Sequence, residues 1–216
     1  STTDDATTAT AIAVGKELKK TMIICKDAPG FVVNRLLTRF MGEVTDAVDE
    51  GTSPAVADSA MMEIGFPMSP FQLLDLVGPG VALHVSETLH NNLGPRYRIS
   101  PTMQRMVKEG VRHFYIKNED GSVSANPAAM ALVEQGTTPS TAEQVRTRAL
   151  KALAEEARAM LDEGVVSSPA EIDLCMLMGA GWPMHLGGIL PYLDREGISE
   201  SETGKRFHEK GIASLP

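Results

Sequence analysis

A degenerate tandem repeat constrains the fold of this chain more than any other feature of its sequence. Four matches recur in the same order: Asp49-Glu50-Gly51 as Asp162-Glu163-Gly164, Ser53-Pro54-Ala55 as Ser168-Pro169-Ala170, Asp58 as Asp173, and Gly65-Phe66-Pro67-Met68 as Gly181-Trp182-Pro183-Met184. Because each copy must bury one face, packing the copies against each other is the economical solution. We therefore predict a pseudo-dimer of a first copy (residues 28–125) and a second copy (residues 126–216), preceded by residues 1–27.

The apolar periodicity predicts that both copies are helical. A long amphipathic helix is expected from Phe31 to the closing pair Glu50-Gly51. Shorter helices follow, starting at Ser53-Pro54, at Ser69-Pro70 and at Val81. The fold class is therefore predicted to be all-α.

The residues before the first copy predict a short surface helix and then a strand. The helix is expected up to Lys19-Lys20, and the strand occupies Thr21–Asp27, an apolar run bounded by charges. Other strand material is limited to Phe114–Lys117 and Ser122–Ser124. Because an isolated strand cannot satisfy its backbone groups, we expect the chain to begin inside a larger protein that contains a sheet.

Composition argues against several classes of partner. The net charge is -8, from 20 Lys and Arg against 28 Asp and Glu, which disfavours nucleic acid and anionic membranes. No apolar stretch approaches the roughly 18 residues of a membrane span, and no signal peptide is apparent. Cys25 and Cys175 lie in apolar runs without ligand spacing, as expected of buried reduced thiols in a cytoplasmic protein.

Several common catalytic and cofactor-binding motifs are incomplete or absent in this sequence. Gly78-Pro79-Gly80 and Gly179-Ala180-Gly181 each contain G-x-G, but neither follows a strand or completes the dinucleotide fingerprint, so we interpret both as helix breakers. No nucleophile elbow or P-loop is found. The histidines match no zinc signature, so no metal site is predicted.

Asn34 is the candidate for chemistry. It lies one turn into the long helix, where Asn costs helix propensity. Its amide could bond to a nearby backbone group, or could donate to and accept from a polar substrate group. Counting back 17 positions from Gly51 and Gly164 aligns Asn34 with Thr147, so the scaffold itself does not require Asn. This favours the functional interpretation.

Two segments carry a family resemblance. Residues 26–37 (KDAPGFVVNRLL) and 65–78 (GFPMSPFQLLDLVG) resemble the C-terminal region of NAD-dependent 3-hydroxyacyl-CoA dehydrogenases. Residues 161–194 are similar to the duplicated C-terminal domain of the multifunctional fatty-acid-oxidation enzymes. The resemblance implies a helical domain like the C-terminal domain of 6-phosphogluconate dehydrogenase. It also implies that residues 1–27 are the remnant of a nucleotide-binding domain.

The family oxidises 3-hydroxyacyl-CoA to 3-oxoacyl-CoA with NAD in fatty acid β-oxidation. By resemblance, Asn34 would hydrogen-bond the substrate and stabilise charge at the reacting carbonyl. The acyl chain would lie near Phe31, Leu37, Met68 and Pro70. The family's NAD fingerprint, His/Glu pair and Ser belong to an N-terminal domain that this sequence lacks. NAD is therefore expected to bind mainly to that domain, and this chain alone is expected to be inactive.

The resemblance also implies partners: an acyl-CoA substrate, and a thiolase subunit or hydratase domain of the same complex. Gly110–Tyr115 lacks part of the family pattern, and Thr147 makes the second copy structural by expectation. One alternative is a non-catalytic helical assembly or dimerisation module. Another is a dehydrogenase of the 6-phosphogluconate-like class, but no Lys stands between Phe31 and Gly51 as its catalytic residue.

Overall fold

A computed structural model describes residues 3–212 of the chain. The helices are α1 (Asp5–Glu17), α2 (Val33–Asp49), α3 (Pro54–Ser59), α4 (Pro70–Val77), α5 (Pro79–Leu93), α6 (Pro101–Lys108), α7 (Pro127–Met130), α8 (Ala142–Asp162), α9 (Pro169–Gly179), α10 (Ile189–Arg195) and α11 (Ile198–Thr203). Short 3₁₀ helices span Met62–Ile64 and Met184–Leu186. The strands β1 (Tyr115–Lys117) and β2 (Val123–Ala125) pair antiparallel, with Ile116 opposite Ser124. The prediction of an all-α fold is confirmed.

The two long helices, α2 and α8, pack against each other at the centre of the molecule. Their buried faces include Leu36 and Val44 from α2 and Ala149 and Leu153 from α8, all within one apolar core. The sequence repeat aligns these same two helices. The predicted pseudo-dimer of the two copies is therefore confirmed.

Local sequence signals account for most helix boundaries. Ser69 and Gln72 form a capping box at the start of α4, in which the Ser69 hydroxyl accepts from the backbone N–H of Gln72 at 3.4 Å. Gly51, with φ of 111°, ends α2 as expected. Helix α2 begins two residues later than predicted, because Gly30 and Phe31 both have positive φ, 72° and 49°, and form a turn.

An aspartate at the equivalent position of each copy caps the helix that follows it. Asp58 Oδ1 accepts from the backbone N–H of Phe71 at 2.8 Å, and Asp173 Oδ1 accepts from that of Leu190 at 2.8 Å. Phe71 and Leu190 are the second residues of α4 and α10. A carboxylate at a helix N-terminus satisfies an otherwise unpaired donor, which explains why this aspartate recurs.

A second aspartate pair extends the repeat beyond the sequence matches. The carboxylate of Asp75 accepts from the N–H groups of Phe114 and Tyr115, at 2.6 and 2.9 Å. The carboxylate of Asp194 accepts from those of Phe207 and His208, both at 2.9 Å. Each carboxylate therefore clamps two consecutive backbone amides in its own copy.

The side chains that follow the clamps return to the first aspartates. The Tyr115 hydroxyl donates to Asp58 Oδ2 at 2.5 Å, and His208 Nε2 lies 2.8 Å from Asp173 Oδ2. Each copy therefore contains its own closed hydrogen-bond network, which joins the start of one helix to the last segment of that copy.

The strand predicted over Thr21–Asp27 is wrong. This segment has no strand pairing, and its Lys26 N–H donates to Val165 O, at 2.8 Å, in the loop after α8. Strands β1 and β2, close to the other predicted strands, pair only with each other. The segment thus has no sheet edge beside it among residues 3–212.

The remaining expectations outside the core are met in part. Helix α1 forms, and Gly15 is its buried residue. Cys25 and Cys175 are free but half-buried rather than buried, and burial raises the pKa of both thiols. No helix between residues 3 and 212 has the length and apolar character needed to cross a membrane. The termini of the predicted remnant and of the second copy, residues 1–2 and 213–216, lie outside the described residues.

Candidate functional site

An apolar cleft runs along helix α2, which contributes Asn34, Leu37, Thr38, Met41, Gly42 and Thr45 to its wall. Helices α4 and α5 supply the facing wall, which includes Leu73, Leu83 and Val85. The cleft has a volume of about 130 Å³. Three helical turns separate Asn34 from Thr45, about 16 Å at the rise of an α-helix. We call this space the Asn34 cleft.

Asn34 stands at one end of this cleft with a free amide. Its side chain is exposed and makes no hydrogen bond to another residue in the described range. The structural alternative, an amide bonded to a nearby backbone group, is therefore not what the chain adopts. One turn further, Thr38 lines the same wall and adds a hydroxyl beside the amide.

The other end of the cleft carries charge. Arg98 lines the cleft, and its Nε lies 3.2 Å from Asp46 Oδ2. Asp46 is buried, and this burial raises the pKa of its carboxyl to about 7, against the opposing charge of Arg98. The cleft is thus polar at both ends and apolar between them.

A second cavity lies between the two copies, and we call it the interface cavity. Its lining residues are Leu37, Phe40, Met61, Phe66, Pro67, Met68, Ser69, Pro70, Leu73, Gly179, Ala180 and Gly181. Leu37 and Leu73 line both this cavity and the Asn34 cleft.

The predicted site residues fall into three places. Leu37 lies with Asn34 in the cleft, and it also joins Met68 and Pro70 in the interface cavity. Phe31 lines neither space and stands 53% exposed on the turn before α2. The single acyl site predicted from the sequence therefore corresponds to two neighbouring spaces in the structure.

A buried ion cluster that the sequence analysis does not predict lies at the α2–α8 contact. Arg35 Nε donates to Glu156 Oε1, and Arg35 Nη1 donates to Glu163 Oε2, both at 2.7 Å. Burial disfavours the charged guanidinium, but Glu163 and Glu156 outweigh this effect and raise the pKa of Arg35. The side chains of Arg35 and Glu156 have no exposed surface.

An arginine of the second copy makes the equivalent contact to the first copy. Arg148, which the repeat aligns with Arg35, donates through Nη1 to Glu50 Oε2 at 2.5 Å and through Nε to Glu43 Oε2 at 3.2 Å. This reciprocity is typical of a two-fold interface. The alignment of Arg35 with Arg148 was the sequence signal that could have found both clusters.

The described residues do not fit a dinucleotide or a metal. Gly78 follows helix α4, and Gly179–Gly181 follows from helix α9, so neither glycine pair opens a helix after a strand. Within residues 3–212, no three His, Cys, Asp or Glu side chains are placed to hold a metal ion. The residues present therefore do not fit NAD, and no chemical step through it follows from this chain.

The model of the 3-hydroxyacyl-CoA dehydrogenase C-terminal domain matches residues 30–117. Residues 30–117 are therefore similar to that domain. The match includes α2, the Asn34 cleft and the Asp75 clamp.

Curated relatives extend the similarity to most of the chain. The fatty acid oxidation complex subunit alpha of Shewanella amazonensis is 30% identical over 95% of this chain and 32% of its own length. The subunit of the same name in Vibrio cholerae is 29% identical over 92% of this chain and 29% of its own length. The chain thus spans about a third of the length of these relatives.

A solved structure shares the fold. The 3-hydroxybutyryl-CoA dehydrogenase of Escherichia coli superposes with a TM-score of 0.66 over 98% of this chain and 64% of that chain, at 18% identity. At this identity the likeness concerns the fold alone. It agrees with the helical C-terminal domain that the resemblance implied.

Proposed function

We propose that this chain is the acyl-binding and assembly part of a cytoplasmic NAD-dependent 3-hydroxyacyl-CoA dehydrogenase of fatty acid β-oxidation. The reaction is the oxidation of 3-hydroxyacyl-CoA to 3-oxoacyl-CoA. The observation that carries the proposal is the free amide of Asn34 at one end of an apolar cleft. The family whose C-terminal domain residues 30–117 resemble and the names of the relatives support the same reaction class.

In this proposal Asn34 binds the polar end of the substrate. Its amide N–H donates to the carbonyl oxygen at the reacting centre, where it stabilises the charge that develops. The alkyl chain contacts the apolar walls, including Leu37, and gains free energy by leaving water. Met68 and Pro70 contribute from the neighbouring cavity, and Phe31 stands on the turn beside the Asn34 end.

The remaining machinery lies outside this chain in the proposal. A nucleotide-binding domain of a longer protein would hold NAD and supply the His/Glu pair and the Ser. This chain alone would then bind acyl-CoA without oxidising it. A hydratase domain or a thiolase subunit would act on the same acyl-CoA series within one complex.

Binding of acetoacetyl-CoA, measured by titration calorimetry, tests the assignment. Asn34→Ala should weaken binding about fivefold to tenfold, the equivalent of about 1–1.4 kcal/mol for one lost hydrogen bond. Thr147→Ala, the equivalent change in the second copy, should leave binding unchanged because Thr147 lies on α8, away from the cleft.

In the longer protein, Asn34→Ala should lower kcat at least tenfold while Thr147→Ala has little effect. Equal effects of the two variants would refute the role of Asn34. A chain that binds no acyl-CoA but still assembles with partner domains would support the alternative, a non-catalytic assembly module.

A further inference from the structure

The interface cavity is larger than the Asn34 cleft and has an apolar wall. Its volume is about 270 Å³, against about 130 Å³ for the cleft. In this wall, the hydroxyl of Ser69 already accepts from the backbone N–H of Gln72. A cavity with a mostly apolar wall favours an apolar occupant.

Two leucines connect the cavity to the cleft. Leu37 and Leu73 line both spaces, so their side chains form part of the partition between them. Both side chains are half-buried. Leucine side chains adopt alternative staggered rotamers without backbone change, so side-chain motion is the route by which a ligand would open this partition.

The volumes indicate which ligands need both spaces. A cavity of about 150 Å³ with an aliphatic lining holds benzene, a molecule of six carbons. The Asn34 cleft, at about 130 Å³, is of similar size and suits a short acyl chain. A long chain needs further apolar volume, and the interface cavity offers about twice as much.

The second copy contributes one wall of this volume through a stretch with almost no side chains. A Cβ built on Gly181 would lie 3.3 Å from Pro67 Cγ, and Gly181 has φ of +71°. Small residues here keep the wall open, which gives Gly179-Ala180-Gly181 a role beyond ending α9. Ala180 is half-buried and lines the cavity, so a larger side chain at this position is expected to reduce the cavity volume.

We propose that the interface cavity receives the distal end of a long acyl chain whose polar end is held at Asn34. The second copy, through Ala180 and its flanking glycines, thereby sets the upper limit of chain length. This inference rests on the proposed function and deepens it, because it gives the second copy a part in substrate selection.

Hexanoyl-CoA and palmitoyl-CoA, titrated separately into the chain at concentrations below micelle formation, test this proposal. Ala180→Leu should weaken palmitoyl-CoA binding at least tenfold and leave hexanoyl-CoA binding unchanged. Ala170→Leu is the matched control, since Ala170 is exposed near the start of α9, the helix that ends just before Ala180, and it should change neither affinity.

Trp182 provides an independent signal. It is the single tryptophan of the chain and packs edge-on against Phe66, with ring centroids 5.4 Å apart, and Phe66 lines the cavity. Palmitoyl-CoA should change the fluorescence of Trp182, and hexanoyl-CoA should not.

The outcomes separate the two proposals. If wild-type protein binds neither acyl-CoA, the proposed function fails. If it binds both and Ala180→Leu weakens both equally or neither, the proposed function stands and the chain-length inference is overturned. Met68→Phe, which narrows the same cavity from the first copy, repeats the test should Ala180→Leu not fold, as checked by circular dichroism.

Discussion

Replacing Arg35 by Met removes the buried cation from the α2–α8 contact and leaves Glu156 with less compensation. Removal of one partner from a buried ion pair costs about 3–5 kcal/mol, because the other charge stays in a low-dielectric environment. Glu156 keeps a second partner, since Arg96 Nε donates to its Oε2 at 2.7 Å. The side chain of Arg96 is 36% exposed, so its compensation is partly screened by solvent. We therefore expect Arg35→Met to cost about 3 kcal/mol, at the lower end of this range.

The repeat supplies a matched control at Arg148. The Arg148 side chain is 29% exposed, and those of its partners Glu50 and Glu43 are 31% and 15% exposed. Because all three side chains keep contact with solvent, these pairs are partly screened, and Arg148→Met should therefore cost less than Arg35→Met, about 1 kcal/mol. The double variant Arg35→Met with Glu156→Met should regain much of the loss, because no buried charge is then left unpaired.

Urea unfolding, followed by Trp182 fluorescence and by circular dichroism, measures these free energies. The cost of about 3 kcal/mol should lower the Tm by about 6–12 °C in a chain of this size. The m-value should stay unchanged if only stability is altered. Equal costs for Arg35→Met and Arg148→Met would refute the argument that burial, rather than ion pairing as such, decides the contribution.

Three further predictions concern stability and assembly. Burial raises the pKa of Asp46 to about 7 in the folded chain, so its stabilising contribution is complete below about pH 3.8 and is lost as the pH rises to about 7. Between pH 5 and pH 8, the free energy of unfolding of Asp46→Asn, measured in urea, should therefore rise by about 1–3 kcal/mol relative to that of the wild type. A difference that does not change over this pH range would refute the assignment. Asp194→Ala should cost about 2–4 kcal/mol and Asp75→Ala less, since Asp194 is fully buried and accepts from Ser199 as well as from two backbone amides; a larger cost for Asp75→Ala would contradict this order. The chain should sediment as a monomer, because the faces that pair the copies are already used within it, and a mass near twice 23.1 kDa would count against this.

Local signals in the sequence were sufficient to predict α1 to α5 and their order. The capping box at Ser69 and the apolar period of α2 act over three or four residues, and such short-range preferences survive in the folded chain. The repeat added one long-range statement, the pairing of the two copies, because two similar amphipathic units must bury similar faces. The repeat also predicts Asn34 as a candidate functional residue, since its aligned residue Thr147 indicates that the scaffold does not require an amide there.

Tertiary structure alone decided the rest, since contacts between distant residues depend on how whole elements pack. Nothing local marks Asp194 as the clamp of Phe207 and His208, or Arg35 as a fully buried cation. The segment Thr21–Asp27 has the composition of a strand, but strand formation requires a neighbouring edge that only the fold can provide. Leu37 likewise belongs to two spaces at once because α2 packs between the first copy's helices and the end of α9. Local pattern and the repeat thus specify the first five helices, the pairing of the copies and the candidate amide, whereas packing specifies which charges are buried and where the apolar cavities lie.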